Sequence, residues 1–220
     1  LATSNNGFFA RETDRLLTQQ DLINVAHKFA YNRVVPFPLL TDASVANIPS
    51  GALERSRVAA GFWKTYLTPL HGVLIAAAVA TDGQLPTPRL VKRLHTAEGR
   101  KVEAPKRPAL SQAMTPETAQ QLRQVMSETS ARGTARRAFA KWPRRHRHIK
   151  VGGKTGSLSK RDPYMGYTWF VGYAPADDPK VAISVLVGNG ELWWQKAADV
   201  ARDVLTSYFD EEARRTVAVR

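Results

Sequence analysis

At 220 residues the chain is long enough for one domain with a substantial core, or for two lobes that share a cleft. It contains no cysteine, which excludes disulfides, and its longest apolar run, Val73 to Ala80, is too short to cross a membrane. Lys and Arg total 32 against 19 Asp and Glu, so the formal net charge is +13.

The first predicted element is a helix that starts just after Ser4-Asn5-Asn6. Ser-Asn-Asn by itself indicates only a turn or a helix cap. Phe8, Phe9 and Leu16 are spaced so that they can face a core.

Thr18 begins a second predicted helix, with Asp21 three residues later as an approximate capping box. We expect this helix to end near Asn32. From residue 33 to residue 61 the chain is rich in proline and turn residues, which predicts an ordered irregular connection without a catalytic signal.

Thr68-Pro69 is a typical helix start, and Gly83 ends the apolar run that follows. The run is apolar on most faces, which predicts a buried helix in which His71 is a packed residue rather than a ligand. Residues 98–108 are charged and carry two prolines, which predicts a surface excursion with a short hairpin.

Thr115-Pro116 repeats the helix start, and this helix should end near Ser130. A basic segment follows, with eight cations from Arg132 to Lys150 and no acid from Thr129 to Arg161. It lacks the interleaved aromatics and the motifs of nucleic-acid binding. A solvated basic loop, or attraction to an acidic cell-wall polymer, is therefore favoured over nucleic acid. A metal pair at His146-x-His148 is disfavoured because the neighbouring arginines would repel a dication.

Residues 149–175 predict a β-hairpin, with turn chemistry at Arg161-Asp162-Pro163 and an aromatic second strand from Tyr167 to Tyr173. Glycines interrupt the first strand around Lys154-Thr155, and they weaken a strand. We expect that this edge is kept free of Cβ atoms so that an extended peptide ending in a carboxylate can lie beside it. The alternative is a surface hairpin without a site.

The last predicted elements are a continuous apolar strand, Val181 to Val187, and a C-terminal helix. The helix should end near Phe209 and be followed by a charged tail, residues 210–220. Its buried face is expected to contain Trp194, Ala197, Ala201, Val204, Leu205 and Tyr208.

Lys154-Thr155-Gly156-Ser157 resembles the Lys-Thr-Gly signature of the penicillin-binding transpeptidases and serine β-lactamases. Ser4-x-Asn6 resembles the second signature of that family, Ser-x-Asn. Gly133-Thr134-Ala135 before the strand, and residues 169–175 and 181–190 after it, follow the order of the family around its active-site sheet. Thr68 to His71, followed by Gly83 and Pro88 to Val91, resembles the central helix of the family and the strand-like segment after it.

The resemblance implies an α+β fold, with a partial transpeptidase domain over residues 1–209. Residues 1 to about 100 would form a mainly helical lobe and residues from about 101 to 209 a sheet lobe. It further implies that the Ser4 hydroxyl and the Lys154 ammonium lie within about one hydrogen bond or one bridging water of each other.

The resemblance also implies a role for each site residue. Ser4, Asn6 and Lys154 would be catalytic, while Thr155, Gly156 and Ser157 would bind substrate. Neither a cofactor nor a metal is implied. The expected partners are a stem peptide ending in D-Ala-D-Ala and β-lactam antibiotics, at the periplasmic face or the cell surface.

The signature of the family's nucleophile, Ser-x-x-Lys, belongs upstream of Ser-x-Asn. Ser157-Leu158-Ser159-Lys160 spells it in the wrong place and is taken as coincidence. We therefore expect that an N-terminal part of the same protein carries the nucleophile and any membrane anchor. The predicted function is a peptidoglycan D,D-transpeptidase; the alternatives are a D,D-carboxypeptidase or β-lactamase on the same fold, or a non-catalytic module that binds or scaffolds cell-wall peptides.

Overall fold

The computed structural model describes residues 1–61, 63–105 and 107–218. The helices are α1 (Asn6–Leu16), α2 (Gln19–Lys28), α3 (Ala52–Ala59), α4 (Pro69–Ala80), α5 (Pro116–Ala131), α6 (Arg136–Phe139) and α7 (Ala197–Ala218). The strands are β1 (Val45–Ala46), β2 (Thr65–Tyr66), β3 (Gln84–Leu85), β4 (Arg93–His95), β5 (Lys101–Glu103), β6 (Ser111–Gln112), β7 (Gly152–Arg161), β8 (Tyr164–Ala174) and β9 (Val181–Asn189). No helix in the described part of the chain is both long enough and apolar enough to cross a bilayer.

Threonine hydroxyls start three of the helices, as their sequences predict. The side chain of Thr18 accepts a hydrogen bond from the backbone N–H of Asp21, which completes the capping box of α2. Thr68 and Thr115 cap α4 and α5 in the same way, each followed by proline at the first helical turn. These caps satisfy backbone donors that a helix cannot pair internally, so the starts of the helices are sharply defined.

The main sheet is antiparallel, with β7 at one edge, β8 in the middle and β9 at the other edge. The predicted hairpin and the strand after it are therefore confirmed. Arg161 pairs with Tyr164, so the turn between β7 and β8 consists of Asp162-Pro163. The second strand begins at Tyr164, three residues before the predicted start.

Helices cover both faces of this sheet, because side chains alternate between the faces of a strand. Phe170 on β8 and Ile183 on β9 pack against a core that includes residues of α6 and α7. Tyr173 on β8 packs on the other side with Val79 of α4 and Met126 of α5. The mixture of helices and antiparallel sheet confirms the predicted α+β class. The division into two lobes stays a prediction.

Two connections differ from the prediction. The stretch predicted as irregular contains α3 and β1, because a helix begins directly after the turn residues Pro49 to Gly51. Pro88 to Val91 forms no strand, and the short strand β4 begins only at Arg93. Proline has no N–H to give to a ladder, which explains the later start. The expected surface hairpin is present, since β4 pairs with β5.

Several apolar residues predicted to be buried are exposed. Phe8 and Leu16 on α1 are at least half exposed. Trp194 is 84% exposed, because it lies in the loop before α7, where helical spacing does not apply. Val204 and Tyr208 are also exposed, since the side of α7 that faces the core is a narrow stripe. That stripe consists of Ala197, Ala201, Leu205 and Phe209.

The C-terminal helix is longer than the sequence predicts. It passes the expected end at Phe209 and continues to Ala218, so most of the predicted tail, residues 210–220, is helical. The ion pair between Glu211 and Arg215, four residues apart, is of the kind that supports an exposed helix. The last two residues of the predicted tail lie outside the described residues.

Candidate active site

Ser4 sits at the entry to α1 in a backbone conformation that is uncommon for a residue with a side chain. Its φ is 54°, in the left-handed region, and its N–H donates to the carbonyl of Leu1 at 3.0 Å. Such a conformation costs about 1 kcal/mol or more. Asn5 next to it caps the helix, since its Oδ1 accepts from the N–H of Phe8 at 2.9 Å. The tripeptide thus combines a helix cap with a strained turn that presents the Ser4 hydroxyl.

Lys154 on the edge strand reaches this hydroxyl across 150 positions of sequence. Its Nζ donates to Ser4 Oγ at 2.6 Å and to the carbonyl of Thr155 at 2.7 Å. The predicted contact between Ser4 and Lys154 is therefore confirmed. It is also the contact that joins the N-terminal loop to the edge of the main sheet.

The Lys154 ammonium is half-buried, and burial lowers the pKa of this group below its ordinary value. No Asp or Glu of the described residues forms an ion pair with it. An ammonium without a counter-ion among the described residues attracts an anionic group such as a carboxylate. Its lowered pKa also makes it a readier proton donor to the hydroxyl that it touches.

Thr134 belongs to the site although the sequence prediction does not include it among the site residues. Its hydroxyl lies 2.5 Å from that of Thr155, and its N–H donates to the carbonyl of Ala2 at 3.0 Å. Gly133 is packed so closely on that carbonyl that an added Cβ would lie 2.3 Å from the oxygen. The segment therefore bridges the N-terminal loop and β7. Gly133-Thr134-Ala135 is part of the family resemblance in the sequence, but the sequence does not show that the Thr134 hydroxyl meets that of Thr155.

The remaining predicted residues lie on the same two elements. Asn6 is the first residue of α1 and is exposed, and Ser157 is exposed on β7. The hydrogen bonds of the described residues connect neither side chain to Lys154. Gly156 lies between Thr155 and Ser157 on β7, and an added Cβ there would be 3.3 Å from the Cβ of Trp169. The structure thus brings Ser4, Lys154 and Thr155 into one hydrogen-bonded group, with the others beside it.

The glycines at the start of β7 have a different purpose from the predicted one. A Cβ atom points out of the plane of a sheet rather than along its edge. At Gly152 an added Cβ would lie 2.5 Å from the ring of Tyr173, and at Gly153 it would lie 2.4 Å from the ring of Phe170. These glycines make room for aromatic rings of the neighbouring strand, and the expectation that they open the edge to another backbone was wrong for these two.

Two other candidate groups have different surroundings. Ser157 and Lys160, three positions apart on an exposed strand, point to opposite faces, so they do not form a nucleophile and base pair. His146 is buried and its Nε2 lies 2.8 Å from Asp210, whereas His148 is exposed. In the described ranges, no three His, Cys, Asp or Glu side chains come together as a possible metal site.

A scan against family models matches residues 1–206 to the penicillin binding protein transpeptidase domain. The peptidoglycan D,D-transpeptidase PbpA of Mycolicibacterium smegmatis is 30% identical over 159 residues, which cover 71% of this chain and 30% of that protein. The peptidoglycan D,D-transpeptidase MrdA of Haemophilus influenzae is 26% identical over 205 residues, or 78% of this chain and 30% of that protein. The chain thus spans less than a third of the curated relatives that it matches.

Solved structures are similar over nearly the whole chain. The D,D-transpeptidase domain of a peptidoglycan glycosyltransferase from Eggerthella lenta has a TM-score of 0.80 at 26% identity, covering 96% of this chain and 52% of that one. Penicillin-binding protein A of M. tuberculosis, as its imipenem acyl-enzyme complex, has a TM-score of 0.76 at 26% identity, covering 93% of this chain and 45% of that one.

Proposed function

The chain belongs to the penicillin-binding protein transpeptidase family, and from that membership we propose that it forms one wall of a peptidoglycan D,D-transpeptidase site. The observation that carries the proposal is the 2.6 Å contact between Lys154 and Ser4, which assembles two distant motifs into one group. The proposed setting is outside the cytoplasm, where peptidoglycan is cross-linked. The proposed ligands are stem peptides ending in D-Ala-D-Ala and β-lactams, and no cofactor is involved.

Substrate binding follows from charge and hydrogen-bond chemistry. The Lys154 ammonium and the hydroxyls of Thr155 and Ser157 bind the terminal carboxylate of the peptide. An extended peptide pairs along the edge of β7, where backbone groups face the groove. Gly156 lets it come close, and the Asn6 amide hydrogen-bonds to the substrate amide.

The chemistry is acyl transfer through a serine ester. The nucleophilic serine, which lies outside these 220 residues in our proposal, bonds to the carbonyl carbon of the penultimate D-alanine, and the bond to the terminal D-alanine breaks. Ser4 passes a proton to the leaving nitrogen and is resupplied by Lys154, and the proton that the nucleophilic serine loses restores the Lys154 ammonium. The backbone N–H of Ser157 stabilises the oxyanion, a contribution of about 3 kcal/mol for a single donor. An amine of a second stem peptide then takes the acyl group.

The experiment uses the intact protein, a peptide ending in D-Ala-D-Ala and an amine acceptor. We expect an amide product, release of D-alanine, and labelling by a fluorescent penicillin. Ser4→Ala should slow acylation while the fold is retained. Only acid product would indicate a carboxypeptidase or β-lactamase, and peptide binding without acylation would indicate a non-catalytic module. For the 220 residues alone we expect no stable penicillin adduct; finding one would place the nucleophile within them.

A further inference from the structure

Most of the net charge of the protein comes from one stretch of its sequence. Residues 129–161 contain 11 Lys and Arg and no Asp or Glu, against a net charge of +13 for the whole chain. Residues 136–150 in this stretch, which we call the basic ridge, consist of α6, a 3₁₀ turn at Arg144–His146 and the residues that link and follow them.

The ridge is folded so that its cations face outward. Ala138, Trp142 and His146, each 5% exposed, follow one another at intervals of four residues and point inward. Ala138 and Trp142 lie in the core beneath α7, and the His146 ring packs near that of Phe209. The exposed cations on the outside are Arg136, Arg137, Lys141, Arg144, Arg147 and Lys150.

These cations are not neutralised within the described part of the protein. Of the ridge cations only Arg145 forms an ion pair there with a carboxylate, that of Asp210 on α7, together with His146. This pair fixes the ridge to the helix, and the outer cations form no ion pair with a carboxylate of the described residues. Like charges at such density repel one another, and a bound polyanion would relieve that repulsion.

The residue types on the ridge indicate which polyanion it fits. Four of the six outward cations are arginines, whose planar fork matches phosphate geometry. Trp142 is buried and stacked on Phe139, with ring centroids 5.3 Å apart, so it offers no platform for a nucleic-acid base. The exposed ridge side chains include no large apolar group to insert into a bilayer.

The ridge also begins next to the candidate active site. It starts two residues after Thr134, whose hydroxyl contacts that of Thr155. We propose that the basic ridge binds a flexible, phosphodiester-linked polymer of the cell wall and holds it beside the substrate groove. This proposal rests on the proposed function for its extracytoplasmic setting, and it goes beyond that function because the polymer is not the acyl donor.

The test measures binding of the intact protein to fluorescent poly(glycerol phosphate) over a series of salt concentrations. One variant carries Arg136→Gln, Arg137→Gln, Arg144→Gln and Arg147→Gln. A control variant loses the same charge at exposed cations around β4 and β5, through Lys92→Gln, Arg100→Gln, Lys101→Gln and Arg107→Gln. Circular dichroism and thermal melting check that both variants fold.

We expect the ridge variant to bind at least about tenfold more weakly than the parent protein. The slope of log affinity against log salt concentration should become shallower by roughly 3, because each of the four removed charges contributes about 0.7 on a flexible strand. The control variant should lose less than about threefold. Equal losses in both variants, or no binding by the parent protein, would overturn the proposal. So would tighter binding to a single-stranded oligonucleotide or to anionic vesicles. Labelling by penicillin, measured in parallel, tests the proposed function separately and should be unchanged in the ridge variant.

Discussion

Replacing Lys154 by Met tests whether the hydrogen-bonded group at the edge of β7 is functional. Methionine keeps most of the length of the side chain and removes the ammonium that donates to Ser4 at 2.6 Å and to the Thr155 carbonyl at 2.7 Å. A hydrogen bond from a charged group contributes about 1.5–3 kcal/mol. If the bond to Ser4 acts in the transition state, its loss corresponds to roughly 10- to 150-fold in rate.

The free energy of unfolding should change little, or should increase, when Lys154 is replaced by Met. Burial lowers the pKa of Lys154 in the folded protein below the unfolded value of 10.5, so the folded state binds this proton less tightly. Burial of the ammonium therefore costs the folded state free energy at neutral pH, and that cost disappears as pH rises through the interval between the two pKa values. We expect the variant to have an unfolding free energy within about 1 kcal/mol of the parent, or higher, at pH 7.

The assay compares the second-order rate of acylation by a fluorescent penicillin with urea unfolding, for the intact protein and the variant. Lys160→Met, on the same strand but exposed, serves as the matched control and should leave both quantities unchanged. An acylation rate within about threefold of the parent would refute the role of Lys154. A stability loss above about 2 kcal/mol would show that the lysine is structural instead.

Three further changes have expected outcomes. Gly153→Ala should lower the unfolding free energy measured in urea by about 1–3 kcal/mol, because the new methyl group would clash with the ring of Phe170. The control Gly190→Ala should change it by less than about 0.5 kcal/mol, because no heavy atom lies within 4 Å of a Cβ added there. Asp210→Asn should weaken the dependence of stability on acid pH. Hydrogen bonds from Arg145 and His146 lower the pKa of the Asp210 carboxyl, so the parent loses the stabilisation that they provide as pH falls below about 4. The variant lacks this stabilisation at every pH, so its unfolding free energy should change less with pH. Thr134→Val should raise KM for carboxylate-bearing peptides by roughly 2- to 10-fold with little change in kcat, which is the loss expected for one neutral hydrogen bond. An unchanged KM would show that this threonine only holds the loop.

The sequence predicts those parts of the molecule that depend on local chemistry. Threonine followed by proline marks the starts of α4 and α5, and alternating aromatic and β-branched residues mark β8. The contact between Ser4 and Lys154 could be predicted too, because a family resemblance carries long-range information that composition and spacing lack. The roles assigned to Asn6 and Ser157 stay predictions.

What the sequence does not show depends on packing between distant segments. The position of Thr134 beside Thr155 follows from how the N-terminal loop and the edge strand meet, and neither segment encodes it alone. The predicted end of α7 at Phe209 falls short because the charged residues after it predict a tail, although ion pairs such as that of Glu211 and Arg215 support an exposed helix.

The glycines of β7 are a local sequence feature whose role depends on packing against the neighbouring strand. An edge strand leaves backbone groups free for a peptide whatever its side chains are, so an open edge does not require glycine. Gly152 and Gly153 instead admit the rings of Tyr173 and Phe170, which lie against opposite faces of the strand directly before Lys154. Rings packed this closely position the backbone of the strand that carries Lys154, while the hydrogen bonds to Ser4 and to the Thr155 carbonyl hold the ammonium itself. We conclude that aromatic packing against Gly152 and Gly153 positions the part of the strand that carries Lys154 into the candidate site.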